Sequence, residues 1–531
     1  MKTTRRQLMK AATATAAGSV LGIPMHVLAQ AARNGIVVIG STQKPRHLNP
    51  AVQSGIATMS PGAQLFATPL TIDAKWKAQP YLAERWSVSD DARSITLHLR
   101  KDATFHDGKP ITSEDVAFSV EVVKANHPFK SMLAPVNAVS TPDAHTAIIR
   151  LAEPHPVLEL VMTTVFLPIL PKHVYGDGQP LATHPRNAKD VVGSGPFKLV
   201  EFKPGEQQVF ERFDAFFMKG APKFDRLIIR EFKDSSSALL AFESGGIDML
   251  IGIDDARDAA RVKKTPGAKM IDNAGFGIGP LIWLAFNTKD PKLADKRVRQ
   301  AIAYAIDRNF LVKTLLGNYH KASTGPITSG SPLYSADVPK YDLDLKKAAE
   351  LLDAAGVKAG AGGKRMTLTL DNIPGNQAMR TAAEYIKPAL AKVGIEVVLR
   401  ASPDFPTWAR RVSSHQFEMT VDSVWNWGDP VIGVHRTYQT SNIRPGVIWS
   451  NTQQYSNPKV DELMAAAGKE QDRAKRKALY KEFQRIVVDD APIAFLLEVN
   501  YGVGIRNATG FEASVWGMME PLLDLKPSKS A

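Results

Sequence analysis

The sequence predicts an α/β protein of more than one lobe, and three observations carry that reading. Its 531 residues exceed what one hydrophobic core organises. A strand, a turn and a capped helix follow one another within residues 94–124. A strand–helix–strand unit then occupies residues 366–400. With 44% apolar and 22% charged residues, the composition is that of an ordinary globular chain. No internal window offers about eighteen consecutive apolar residues, so nothing after the leader is expected to span a bilayer.

The first element is an address. Residues 4–10 (TRRQLMK) are similar to a twin-arginine export signal with Leu8 where Phe is usual, and a weakly apolar run follows over residues 11–28. Ala29-Gln30-Ala31 or Val27-Leu28-Ala29 supplies small residues for cleavage, so residues 1–31 are expected to be removed. The chain contains no cysteine, which excludes a disulfide framework and the Cys-borne lipid anchor of lipoproteins. An exported, untethered protein is expected.

Next comes the strand over residues 94–100, where Ile95, Leu97 and Leu99 alternate with polar neighbours as one half-buried face requires. His106-Asp107-Gly108 supplies a turn and Pro110 prevents further pairing. Thr112 and Asp115 then read as a capping box opening a helix over residues 113–124. In the second half, Val298, Ile302, Ala305 and Ile306 form an apolar stripe. Leu345, Ala348, Leu352 and Ala355 form another, stopped by Gly356. Residues 366–370 alternate as a strand; Met379, Ala383, Ile386, Leu390 and Val393 recur at helical spacing until Gly394; residues 395–400 return as a strand. Pro388 within that helix removes a backbone donor and is expected to bend it.

The wording of residues 80–122 (PYLAERWSVSDDARSITLHLRKDATFHDGKPITSEDVAFSVEV) resembles the peptide/opine/nickel family of extracellular solute-binding proteins that serve ABC importers. The resemblance runs from about residue 37 to about residue 492. It includes His47-Leu48-Asn49-Pro50, Gly193-Ser194-Gly195-Pro196-Phe197, Ser244-Gly245-Gly246-Ile247-Asp248, LAFN at 284–287, RVRQAIAYAIDR at 297–308, YDLDLKKAAELLDAAG at 341–356 and YSNPKVDEL at 455–463. It implies the two-lobe periplasmic binding protein fold, large class, with a ligand cleft at the hinge. Lobe 1 would take residues 32–280 with an inserted subdomain at about 55–190, lobe 2 residues 281–490, and residues 491–531 would return to lobe 1. The role implied is capture of a small organic solute, a peptide or a modified or capped peptide first, by a monomer that hands it to the membrane permease subunits of the importer. An oligosaccharide, an opine-like compound or a metal chelate would suit the same role.

Competing chemistries lack their signatures. Gly362-Gly363-Lys364 is followed by Arg365 and preceded by Lys358, which breaks the phosphate-loop pattern. Gly275, Gly277 and Gly279 do not have dinucleotide spacing and read instead as a flexible turn before a strand. Neither H-E-x-x-H nor G-x-S-x-G occurs, so a secreted hydrolase would need a nucleophile and base assembled only by the fold. The twelve histidines show no i, i+4 pair, so neither a metal site nor a cofactor is expected. Net charge +13 falls to +9 when Lys2, Arg5, Arg6 and Lys10 leave with the leader. The one basic cluster, Arg473, Lys475, Arg476, Lys477 and Lys481 on a helix over 472–489, reads as a solvated face, so no nucleic-acid partner is expected.

The individual part of the chain is the loop Val424-Trp425-Asn426-Trp427-Gly428-Asp429-Pro430. In the family's peptide binders such a loop carries an acidic residue four positions before Pro, which holds the ligand's α-ammonium; here that position is Asn426. Asp429 keeps the residue before Pro and suits a structural role in the turn. The position at which dipeptide binders carry an Arg for the ligand carboxylate falls on Asn372. Losing two charge-assisted hydrogen bonds would weaken a free dipeptide by roughly 3 to 6 kcal/mol. Neutral amides suit hydroxyl, amide or capped groups. The indoles of Trp425 and Trp427, and Trp283 before LAFN, suit either ligand faces or core packing.

Overall fold

In the computed structural model, residues 35–163 and 166–528 are described. The export leader expected at residues 1–31 lies outside them.

Two mixed sheets organise the chain. The first has seven strands in the order Lys269–Ile271, Gly502–Ile505, Met249–Ile253, Ile36–Ser41, Arg226–Glu231, Gln207–Arg212 and Phe197–Lys203. Ile36–Ser41 runs parallel to both neighbours, and the remaining pairs are antiparallel. The second has six strands in the order Lys321–Ala322, Ile493–Glu498, Pro280–Phe286, Met419–Trp425, Met366–Asn372 and Ile395–Leu399. Every residue of Pro280–Phe286 is buried, as a strand flanked on both sides and covered on both faces must be. The predicted strand–helix–strand unit is Met366–Asn372, Gln377–Ala391 and Ile395–Leu399, and its two strands pair in parallel, with Pro388 inside the helix.

A third, antiparallel sheet of Ala83–Val88, Ser94–Leu99, Thr146–Leu151 and Val136–Asp143 packs with helix Ser113–Asn126. Its apolar face (Ile95, Leu97, Leu99) joins the same core as one face of the first sheet, whereas the second sheet has a core of its own. The helix begins as the capping pattern predicts: the Asp115 carboxylate accepts from Thr112 N at 2.8 Å. Its other oxygen accepts from Lys172 N at 2.9 Å, so the cap also ties the helix to a distant loop.

The turn residue His106 has a structural task. Gly193 N donates to its Nδ1 at 3.1 Å, which leaves Nε2–H to donate to Gly195 O at 3.1 Å. Those glycines sit against the end of helix Ile56–Leu65, where a Cβ on Gly193 would lie 1.9 Å from Leu65 O and one on Gly195 2.4 Å from Gln64 O. Thus the turn motif and the glycine-proline junction, 87 to 89 residues apart in sequence, are two sides of one contact.

One boundary differs from expectation. The strand Ile493–Glu498 pairs with Pro280–Phe286, so the chain does not leave the second sheet at 491 but re-enters the first at Gly502. Ile493, Ala494, Phe495, Leu496 and Leu497 are all buried, and they belong to the core of the second sheet.

Burial holds the His106 ring neutral with its pKa down to about 4, and the fully enclosed His127 down to about 3. An unfolded chain binds protons at these sites below about pH 6.5 and the folded chain does not, so stability falls as pH drops from about 6.5 towards 4. Over that interval each ring accounts for a loss of about 3 kcal/mol. Urea midpoints between pH 7 and 4.5 are expected to decline, and His106→Gln is expected to flatten the decline while lowering stability at pH 7. A midpoint that does not move over this range would contradict the assignment.

Candidate functional site

The two sheets face each other across a cavity of about 900 Å³ lined from both sides. From the first lobe come residues 254–258 at the start of helix Ala256–Lys264, Ala274, Gly275 and Ile278, and the pair Met518 and Met519. From the second come residues 314–317, His320, the opening turn of helix Gln377–Ala391, and Trp425.

Two chain crossings floor this cavity, residues 272–279 and 499–501, and they are bonded to each other: Ala274 N donates to Tyr501 O at 2.9 Å, and Val499 N to Pro280 O at 2.9 Å. Gly275, Gly277 and Gly279, expected as a flexible turn, form a packed crossing instead. Gly277 N donates to Val515 O at 2.8 Å on one side, while Gly428 N donates to Gly277 O at 2.8 Å on the other. A Cβ on Gly277 would lie 2.4 Å from Val515 Cγ1, and Gly279 has φ +58° with Thr328 Oγ1 2.6 Å from where its Cβ would be. Small size, and at Gly279 backbone freedom, explains these glycines.

Charge on the walls is mostly negative. Asp255 caps its helix, accepting from Arg257 N at 2.8 Å and Asp258 N at 3.3 Å, and its carboxylate also faces the Arg257 guanidinium at 3.4 Å. Burial, reinforced by Asp255 and Asp258, pushes the Asp254 carboxyl up to about 6. His320 is held neutral by burial, down to about 4, and its Nδ1 accepts from Asn500 N at 3.2 Å. Burial and the nearby Asp254 raise the Tyr501 phenol. Among the described residues, no group of three or more His, Cys, Asp or Glu side chains is placed to hold a metal ion.

Of the residues singled out in the sequence, Trp425 lines the cavity, and its ring lies 6.0 Å from that of Tyr501. Asn426 does not face it. Its amide is buried in the second lobe, where Oδ1 accepts from Thr328 N at 2.7 Å and Nδ2 donates to Pro326 O at 3.1 Å. Trp427 packs beside Trp425, with 5.2 Å between ring centroids, and reaches into an aromatic cluster of the first lobe with Phe129 at 5.2 Å and Phe166 at 6.5 Å. Trp283 is buried in the second core against Phe495. Asn372 ends its strand with Nδ2 donating to Ile373 O at 3.0 Å, and it is not part of the cavity wall. Asp429 caps the turn after it, accepting from Val431 N at 3.0 Å, and is gripped by Arg476 through bonds of 2.7 and 2.8 Å.

That last pair corrects the reading of the basic helix, which spans Arg473–Asp490. Arg476 is not on its solvated face but buried, because its partner Asp429 lies beneath the helix. Asp254 and Tyr501, in contrast, were not singled out. Their only local signal is the helix cap at Asp255, and their place in the cavity comes from the crossing.

Comparison with known proteins follows from this geometry. Residues 77–445 match the model of a family described as bacterial extracellular solute-binding proteins, family 5, middle region. A chain of Brucella ovis, named as a peptide-binding protein of an ABC transporter, is 30% identical over 448 residues, covering 81% of both chains. The oligopeptide-binding protein AppA of Bacillus subtilis, solved in complex with a nonapeptide, superposes with TM-score 0.79 at 24% identity over 94% of this chain and 99% of that one. NikZ of Campylobacter jejuni, solved with Ni(L-His), gives TM-score 0.80 at 22% identity over 93% and 99%. The two superpositions show a shared fold.

Removing one partner of the Asp429–Arg476 pair leaves a buried charge alone. Arg476→Met is expected to cost about 3 to 5 kcal/mol in denaturant unfolding, and the double change Asp429→Leu/Arg476→Met to recover most of it. The remaining deficit should be about 1 kcal/mol, for the lost cap. Equal losses in the single and double variants would contradict the pairing.

Proposed function

Because the chain belongs to the bacterial extracellular solute-binding proteins of family 5, we propose that it captures a peptide or modified peptide in the periplasm and delivers it to an inner-membrane ABC importer. The observation that carries this reading is the cavity of about 900 Å³ walled by both lobes, at the upper end of the roughly 300–1,000 Å³ typical of small-molecule sites. A solute touching both walls stabilises the arrangement in which they approach, so binding and closure are one equilibrium. Among the described residues the chain passes between the sheets at 272–279 and 499–501, and closure would turn on the backbone dihedrals there.

The protein acts in this reading as a monomer without a cofactor or chemistry of its own. It leaves the cytoplasm by the twin-arginine route and meets the permease subunits untethered. The peptide class is supported by the name of the Brucella relative. An oligosaccharide, an opine-like compound or a metal chelate would use the same cavity in the same way, and native mass spectrometry of gently purified protein separates them by the mass of what is retained.

Trp425 reports on the cavity. Addition of a bound peptide is expected to change tryptophan emission saturably with no product formed, and Trp425→Phe to remove most of the change. Turnover of a peptide or ester panel would instead show a secreted hydrolase and sink the carrier reading.

A further inference from the structure

We propose that Asp254 holds a cationic group of the solute, so that this protein takes ligands bearing an organic ammonium or guanidinium and no free carboxylate. The inference rests on the reading of the interlobe cavity as the solute site.

Asp254 lies between strand Met249–Ile253 and helix Ala256–Lys264, on the cavity wall. Among the described residues its carboxylate has no donor other than its own main-chain N–H, and burial makes the ionised form costly unless a partner arrives. Its neighbours leave that place open. Asp255 is occupied by its helix cap and by Arg257, which among the described residues is the one guanidinium on a cavity wall that carries no lysine. His320 is neutral and its Nδ1 is occupied. With Asp258 the wall therefore carries three carboxylates against one paired guanidinium. A ligand carboxylate would meet repulsion without an unpaired cation to offset it.

The aromatic groups point the same way. Trp425 from the second lobe and Tyr501 from the crossing make a corner, 6.0 Å between centroids at 58°. Such faces attract a cation through the ring quadrupole. Tyr501 and Asp254 line the same cavity. The amide of Asn426 is consumed by Thr328 and Pro326, so recognition of a cation passes to the opposite wall.

The test is calorimetry on the mature protein with four forms of one tripeptide: Ala-Phe-Ala-amide, N-acetyl-Ala-Phe-Ala-amide, N-acetyl-Ala-Phe-Ala and free Ala-Phe-Ala. The form with a free amine and an amidated end should bind tightest, roughly 10- to 100-fold above its neutral acetylated counterpart. Asp254→Asn, nearly isosteric, should remove that preference. Equal or tighter binding of either acetylated form or of free Ala-Phe-Ala, or an unchanged preference in Asp254→Asn, overturns the inference and leaves peptide carriage standing. Binding of none of the four overturns the peptide reading and this inference with it. The order of the four forms in the unaltered protein decides the matter even if the variant fails to fold.

Discussion

Where the chain passes from the first sheet to the second, main chain packs directly on main chain. Residues 277–279 accept hydrogen bonds from Asn426, Trp427 and Gly428 on one side, and Gly277 donates to Val515 on the other. A side chain at Gly277 would occupy the space of Val515 and Trp76. This crossing sets the distance between the lobes, and with it the width of the cavity. It also decides which way the loop 425–427 presents its three side chains. Trp425 goes to the cavity, Asn426 into the second lobe and Trp427 into the first.

The loop thereby acts as a connector as well as a wall. Trp427 sits among Phe129 and Phe166 of the first core, and Arg436 places its guanidinium 5.1 Å from the Phe129 ring. Asp429 and Arg476 anchor the base of the loop in the second lobe. A buried, bidentate ion pair contributes little net stability over an apolar pair, but it tolerates no other orientation of its carboxylate. It therefore fixes where the loop starts its turn. The cavity wall inherits that position.

Electrostatics divides the molecule along similar lines. Several buried polar groups elsewhere are satisfied within the fold: Asp115 by a cap and a distant loop, His106 by two glycine main chains, Asn426 by Thr328 and Pro326. Among the described residues, Asp254 on the cavity wall has no such partner, in a lining with a single guanidinium. A group left unsatisfied in a space open to solute is where a binding protein places its selectivity.

The sequence by itself determined the local elements and the family. Period-two alternation at Ile95, Leu97 and Leu99, the Thr112–Asp115 cap and the helix stripe ending at Gly394 each depend on neighbours within a few residues, so they are legible without a fold. Motif order along the chain identified the scaffold for the same reason. Tertiary structure decided which side chains reach the cavity. Residues 425, 426 and 427 are consecutive cleft candidates in the sequence; bonded to the crossing at 277–279, their loop packs both indoles on the first lobe with Trp425 on the cavity wall, and turns Asn426 into the second lobe. The burial of Arg476, the place of the strand Ile493–Glu498 and the exposure of Asp254 to the cavity likewise depend on partners far away in sequence, and no local period encodes those distances.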